Sequence, residues 1–423
     1  MSQKRPIVPQ KHPVPHSRPQ ALLQWKPHPG LVPEASKRRT IVQVRATPRS
    51  AWRSVWRTTR PTPRLRLGWQ FLRKHVWPWL VNYVKYVLRP RRKLPRYTQP
   101  AAQRPGVFAL PDDCTIALAA DWGTGTQSAE DVAKQIGGHH PDVTIHLGDV
   151  YYSGTEREYK DYFLGSNDWP RGRQGTYAMN GNHEMYSGGE GYFGTALPAL
   201  QQRTSYFCLE NANWRLVAVD TGYYARTFPF LELILKSLIR LPGENRRWLK
   251  EVVFADPADR RPVILLSHHE WFSAFDSEYR RVGANLAPYL DRVLLWFWGH
   301  EHRFAAYGPF ALDGAPRVRA RCIGHGGMPI ELSHPVRRWD RNLVCWDSRY
   351  ATCVDEVPIG YCGYALLELR GTQLTASYRD ETGATVLQER WIREPGGCRG
   401  EVLSASARLA VPPGRTVNAL VGS

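Results

Sequence analysis

Five short apolar runs in the middle of the chain each stop on a polar residue able to bind a ligand. TIALAAD stops at Asp121, VTIHLGD at Asp149 and VILLSH at His268. TYAMNGNHE delivers Asn182, His183 and Glu184, and VLLWFWGHEH delivers His300, Glu301 and His302. Apolar runs this short, alternating with helical patterns and glycine-bearing loops, predict buried strands of an α/β domain over residues 106–394. Ligands in layered α/β folds collect beyond the carboxyl ends of strands, so these five ends predict one shared site.

The pattern differs on either side of that domain. Residues 1–65 carry eleven prolines and no apolar periodicity, which predicts a disordered Pro/Arg-rich arm. Residues 66–105 predict a basic aromatic helix and a linker. Trp69, Leu72, Val76, Leu80, Tyr83 and Val87 recur at helical spacing, with Pro78 expected to kink the helix. Such a helix, followed by Arg89, Arg91, Arg92 and Lys93, suits an anionic membrane surface. Docking of the stripe on the catalytic body, or on another copy, is the second reading, and nucleic acid ranks third. An insertion at about 225–242 crowds Phe228, Phe230, Leu231, Leu233, Ile234, Leu235, Leu238, Ile239 and Leu241 together. A buried helix would explain this, whereas a solvent-edge hairpin would make it a second membrane or partner surface over 228–241. Residues 395–423 read as a flexible tail.

Charge sharpens this division. The 423 residues carry a net charge of +19, yet residues 1–104 hold 24 Lys/Arg and a single acid, Glu34. The remainder is therefore slightly acidic, with 33 Lys/Arg against 37 Asp/Glu. The seven cysteines form no C-x-x-C pair, which argues against a thiolate zinc site or a disulfide framework. With no secretory signal and no long uncharged apolar run in view, the expectation is a cytoplasmic protein peripheral to a membrane.

The residues at the strand ends are carboxylate, amide and imidazole donors without thiolates, a set that suits a pair of hard or borderline cations. Two cations can clamp a phosphoryl group and acidify a water, and one carboxylate can bridge them. Glycines before Asp149, Asn182 and His300 permit sharp turns beside such ions.

In order, DWG, GDVYY, GNHE, LLSHHEWF and GHEH resemble the five motifs of calcineurin-like metallophosphoesterases, and more narrowly those of the purple acid phosphatase branch. The resemblance covers roughly residues 113–330. It implies a four-layer α/β/β/α sandwich and a phosphoester hydrolase with two metals, Fe(III) plus Fe, Zn or Mn. Asp149 would bridge them. Asp121, Tyr152 and His302 would complete one ligand set, and Asn182, His268 and His300 the other. His183 would contact the phosphate or protonate the leaving oxygen, while Asp149 holds the centre that activates water for in-line attack.

Gly123 stands where most of the superfamily has a histidine, which gives Tyr152 its expected role and leaves Tyr151 to packing. His268 and His269 are neighbours, and on a strand they would point to opposite faces, so His268 alone is expected to bind. Glu184 and His325, the latter in CIGHGGMP, are further candidates for substrate contact. Alternative functions are a phosphodiesterase acting on a cyclic nucleotide or phospholipid-type diester, and a non-catalytic membrane-associated scaffold.

Overall fold

The computed structural model describes residues 91–422 apart from 166–167, 226–237, 277 and 355–356. The strands of the first half are β1 (Val107–Ala109), β2 (Asp113–Ala119), β3 (Val143–His146), β4 (Gly175–Ala178), β5 (Phe207–Glu210), β6 (Arg215–Ala218), β7 (Val263–Leu266) and β8 (Val293–Trp298). They are followed by β9 (Phe304–Tyr307), β10 (Arg319–Ile323), β11 (Leu343–Asp347), β12 (Tyr350–Val354) and β13 (Val357–Gly360). The last are β14 (Gly363–Arg370), β15 (Gln373–Asp380), β16 (Thr385–Glu394), β17 (Gly397–Ala405) and β18 (Leu409–Ala410).

Two large sheets result, one in the order β1-β5-β6-β7-β8-β10-β9-β11-β18 and the other β17-β16-β15-β14-β2-β3-β4. Their inner faces share one core. Ile116, Leu118 and Ile145 from one sheet meet Leu216, Ile264, Leu266, Leu295 and Phe297 from the other. Alternate residues face outward, because side chains on a strand repeat every two positions. Val217, Leu265, Trp296 and Trp298 pack beneath the helices Gly243–Trp248 and Arg280–Leu286 through Trp248, Val282 and Leu286. Ala117 and Ala119 pack beneath Gln127–Gly138 and Glu156–Tyr162 through Val132, Ile136 and Tyr159. Strands covered on both faces must be apolar throughout, which is why β3, β7 and β8 are buried at every position. The layers run α/β/β/α, as expected. Among the described residues, no helix is long and apolar enough to cross a membrane.

The flanks differ from expectation. Residues 397–405 are not a flexible tail. They form β17, paired along β16, and β18 pairs with β11. Leu420 is fully buried in the core between the sheets. The pattern conceals β17 because it is an edge strand, whose order comes from backbone pairing with β16 rather than from an apolar face. The helix expected over 68–93 reaches the described residues only at 91–93, which are not helical, and the rest of it lies outside them. The body begins earlier than expected: Tyr97 packs edge-on against Tyr206 and donates to its carbonyl at 3.1 Å. Of the expected lipid-facing insertion, residues 226–237 lie outside the described residues. Ile239 and Leu241 are buried in the core beneath the helices, so these two do not face lipid.

Candidate metal centre

All five strand ends meet at one edge of the sandwich. Asp121, Asp149 and Asn182 follow β2, β3 and β4 of one sheet, and His268 and His300 follow β7 and β8 of the other. The site therefore straddles the seam between the sheets.

Three of these residues have backbone in the left-handed region: Asp121 at φ +58°, Asp149 at +70° and His300 at +66°. Each such conformation costs on the order of 1 kcal/mol and is held by its surroundings. Asp121 N–H donates to Gly148 O at 3.0 Å, and His300 N–H donates to Asp121 Oδ2 at 2.9 Å. Gly148 has φ +105°, and a Cβ there would lie 2.8 Å from His268 Nδ1. A Cβ on Gly181 would lie 2.1 Å from Asp149 Oδ1. Neither position has room for a side chain.

The donors converge in two groups. Asn182 Oδ1 lies 3.0 Å from both His268 Nε2 and His300 Nδ1, and Asp149 Oδ2 lies 3.3 Å from His268 Nε2. Opposite them, the Tyr151 hydroxyl donates to Asp121 Oδ1 at 2.8 Å and lies 2.9 Å from His302 Nε2 and 3.4 Å from Asp149 Oδ2. Ligand atoms of Asp121, Asp149 and His268 fall within 4.8 Å of one another, as do those of His268, His269 and His300.

Electrostatics point the same way. Burial disfavours charge on Asp149, but His268 foremost, then His183 and His300, hold its carboxyl well below the usual range. Burial likewise disfavours a charged His268, yet Asp149 outweighs it and pushes the ring up to about 9. His300 is pushed down to about 4 by burial and by the charge on His268. Asp149 thus favours a positive charge on His268, while His300 beside it stays neutral. His268 Nδ1 donates to Leu147 O at 3.0 Å, orienting Nε2 toward Asp149 and Asn182. The donor set of carboxylate, amide and imidazole atoms fits bound metal cations.

The two tyrosines have exchanged their expected places. Tyr151, assigned to packing, brings its hydroxyl into the centre. Tyr152, assigned as the ligand, contributes through its backbone: its N–H donates to Glu158 and its carbonyl accepts from His183 Nδ1 at 2.8 Å. The assumption that His268 and His269 face apart also fails, because β7 ends at Leu266 and both histidines lie in the loop beyond it. Their rings stand 4.9 Å apart, and His269 Nδ1 is 3.1 Å from Thr221 Oγ1. Tyr279, which the sequence reading passed over, sets its hydroxyl 2.9 Å from His300 Nε2. The doubled letters YY and HH were the visible signal, but they do not say whether one member or both turns inward.

His183 stands where a substrate group can reach it. Its side chain is 22% exposed, and Nε2 lies 3.8 Å from Asp149 Oδ2. Glu184, a candidate for substrate contact, is withdrawn from solvent. It is fully buried, and its carboxylate accepts from the backbone N–H groups of Gly181 at 2.7 Å, Val150 at 2.8 Å and Asp149 at 3.1 Å. It acts as a brace, joining the loops that carry Asp149 and Asn182. His325 is also removed from solvent, at 4% exposure, packed against Phe304 behind the centre.

Residues 114–304 match the family model described as calcineurin-like phosphoesterase. The domain holding this centre is a calcineurin-like phosphoesterase domain. No curated protein matches the chain. Among solved structures, the chain is similar to a purple acid phosphatase from yellow lupin (Lupinus luteus) seeds, at 15% identity and TM-score 0.45. That match covers 66% of this chain and 54% of the lupin protein, so the chain spans about half that length. It is similar to PhoD at 13% identity and TM-score 0.46, over 74% of each chain. It is also similar to a dimetal phosphatase from Danio rerio at 12% identity and TM-score 0.41, over 63% of this chain and 96% of the other.

Proposed function

We propose that the protein hydrolyses phosphomonoesters at a dinuclear centre of the purple acid phosphatase kind. The supporting observation is the convergence of Asp121, Asp149, Asn182, His268, His300 and His302 at the seam of the two sheets, with the Tyr151 hydroxyl among them. Asp121, Tyr151 and His302 would hold one cation, Asn182, His268 and His300 the other, and Asp149 both. A phenol in the set favours Fe(III) on its side, with Fe, Zn or Mn opposite. Bound there, the pair would neutralise the phosphoryl oxygens and lower the pKa of the attacking water.

The protein's own residues then have distinct tasks. Asp149 and Asn182 sit on loops locked together by Glu184, so the donors are positioned before substrate arrives. His183 Nδ1 donates to the Tyr152 carbonyl, which leaves Nε2 directed at the centre. When protonated, Nε2 can donate its proton to the leaving oxygen. The experiment is turnover of p-nitrophenyl phosphate against its bis-ester by full-length protein reconstituted with Fe, Zn or Mn. Preferential cleavage of the monoester supports this reading, and preference for the bis-ester replaces it with a phosphodiesterase.

We further propose that the basic residues 1–104 hold the protein at an anionic membrane surface, on the strength of 24 Lys/Arg against one acid. Sedimentation with phosphatidylserine vesicles at low salt tests this. Equal recovery with neutral vesicles rejects it.

A further inference from the structure

The mouth of the centre carries cationic groups that the ligand set does not use. The loop after β6 folds against the centre. Thr221 Oγ1 accepts from the His269 N–H at 3.0 Å, and a Cβ on Gly222 would lie 2.5 Å from Gly181 O. The next two residues are Tyr223 and Tyr224, about 8 Å further along the chain at most. The Arg91 guanidinium lies 4.8 Å from the Tyr223 ring centre and 5.1 Å from that of Tyr224, and the Arg240 guanidinium lies 4.2 Å from Tyr224.

Arg91 also touches the other loop at the mouth. The Tyr186 ring stands 4.8 Å from that of His183, and its hydroxyl accepts from Asn182 Nδ2 at 2.9 Å. Two residues on, a Cβ at Gly188 would lie 3.6 Å from Arg91 Cα, and Gly188 O accepts from Arg92 N at 2.9 Å. Arg91 is therefore held between the two loops that flank the centre.

Neither arginine meets a carboxylate among the described residues. Arg91 Nη1 donates to Tyr223 O at 2.8 Å, and Arg240 Nη1 reaches Leu238 O at 3.4 Å. A guanidinium has five N–H donors, so most of each fork is unspent among the described residues. Arg92 next door is different, because Glu190 closes its fork at 2.9 and 2.7 Å. Stacking on an aromatic ring fixes a guanidinium plane and leaves its N–H edge to bind phosphate in bidentate fashion.

We propose that Arg91 and Arg240, set around Tyr224, form a subsite for a second phosphate on the substrate, so that the preferred phosphoester has a leaving group that is itself phosphorylated. This rests on reading the centre as a phosphoester hydrolase. The test compares fructose 1,6-bisphosphate with fructose 6-phosphate, using full-length metal-loaded protein. R91Q/R240Q should raise KM for the bisphosphate roughly tenfold at unchanged kcat, and leave both constants for the monophosphate within about twofold. An equal effect on both substrates, or on neither, overturns the subsite. Calorimetric binding of inorganic pyrophosphate to the purified protein separates the two readings. Weaker binding by R91Q/R240Q than by wild type upholds the subsite even if neither ester is turned over, and equal affinity rejects it. The single variants R91Q and R240Q carry the same test should the double variant lose its thermal transition.

Discussion

The Tyr151 hydroxyl donates to Asp121 Oδ1 at 2.8 Å, so the first tyrosine of GDVYY, not the second, faces the carboxylate that ends the first strand motif. With iron in the centre, Tyr151→Phe should abolish a tyrosinate-to-Fe(III) charge-transfer band and lower metal content by up to one equivalent. Tyr152→Phe should keep both, because the Tyr152 contacts with Glu158 and His183 run through its backbone and survive the change. Visible absorption and metal analysis of the two variants decide between them. A band lost only in Tyr152→Phe would restore the order expected from the sequence.

Glu184 joins two ligand loops, and its removal should be costly. Glu184→Ala strips an acceptor from three backbone N–H groups and from the Tyr159 hydroxyl at 3.0 Å. Buried donors left unpaired cost about 1–3 kcal/mol each, so a loss of at least about 3 kcal/mol is expected. Chemical denaturation should show it, together with faster metal loss on dialysis. A change below about 1 kcal/mol would mean that the brace is dispensable.

Arg321 and Glu389 form a fully buried pair between β10 and β16, joined at 2.9 and 2.7 Å. They tie the two sheets together, β10 belonging to one and β16 to the other. Glu389→Leu or Arg321→Met should each cost about 3–5 kcal/mol, because each leaves a buried charge without its partner. The double variant R321M/E389L should cost far less than their sum. A double-mutant cycle measured by denaturation checks this, and additive losses would contradict it.

Burial pushes His146 down to about 3 and His325 down to about 4. The unfolded chain takes up these protons near pH 6.5, whereas the folded chain does so only near those lower values. Their contribution to stability is therefore complete above pH 6.5 and declines as pH falls toward 4. Each pH unit in that window removes up to about 1.4 kcal/mol per histidine. His325→Leu should lose less stability than wild type between pH 7 and pH 5, with KM at pH 7 unchanged. A raised KM would return His325 to the substrate site.

Much of this architecture was visible along the chain. Runs such as VTIHLGD and VLLWFWGHEH are apolar because β3 and β8 are covered on both faces, and a fully covered strand leaves polar residues only beyond its end. The convergence of Asp121, Asp149, Asn182, His268, His300 and His302 is legible for that reason. The tail was not legible: β17 owes its place to hydrogen bonds with β16, and backbone pairing leaves little mark on composition.

What lay beyond sequence reading were the choices made inside loops. A strand imposes alternation, so its faces can be counted from residue types. Beyond β3 and β7 that constraint lapses, and each side chain turns wherever the packed neighbours leave room. Tyr151 and His269 point into the centre, and Glu184 and His325 away from solvent, because two sheets meeting at a seam define the inside. The order of residues specifies the donors and the strands that carry them. Only the packing of one sheet against the other decides that one of two adjacent tyrosines, and both of two adjacent histidines, reach the space between.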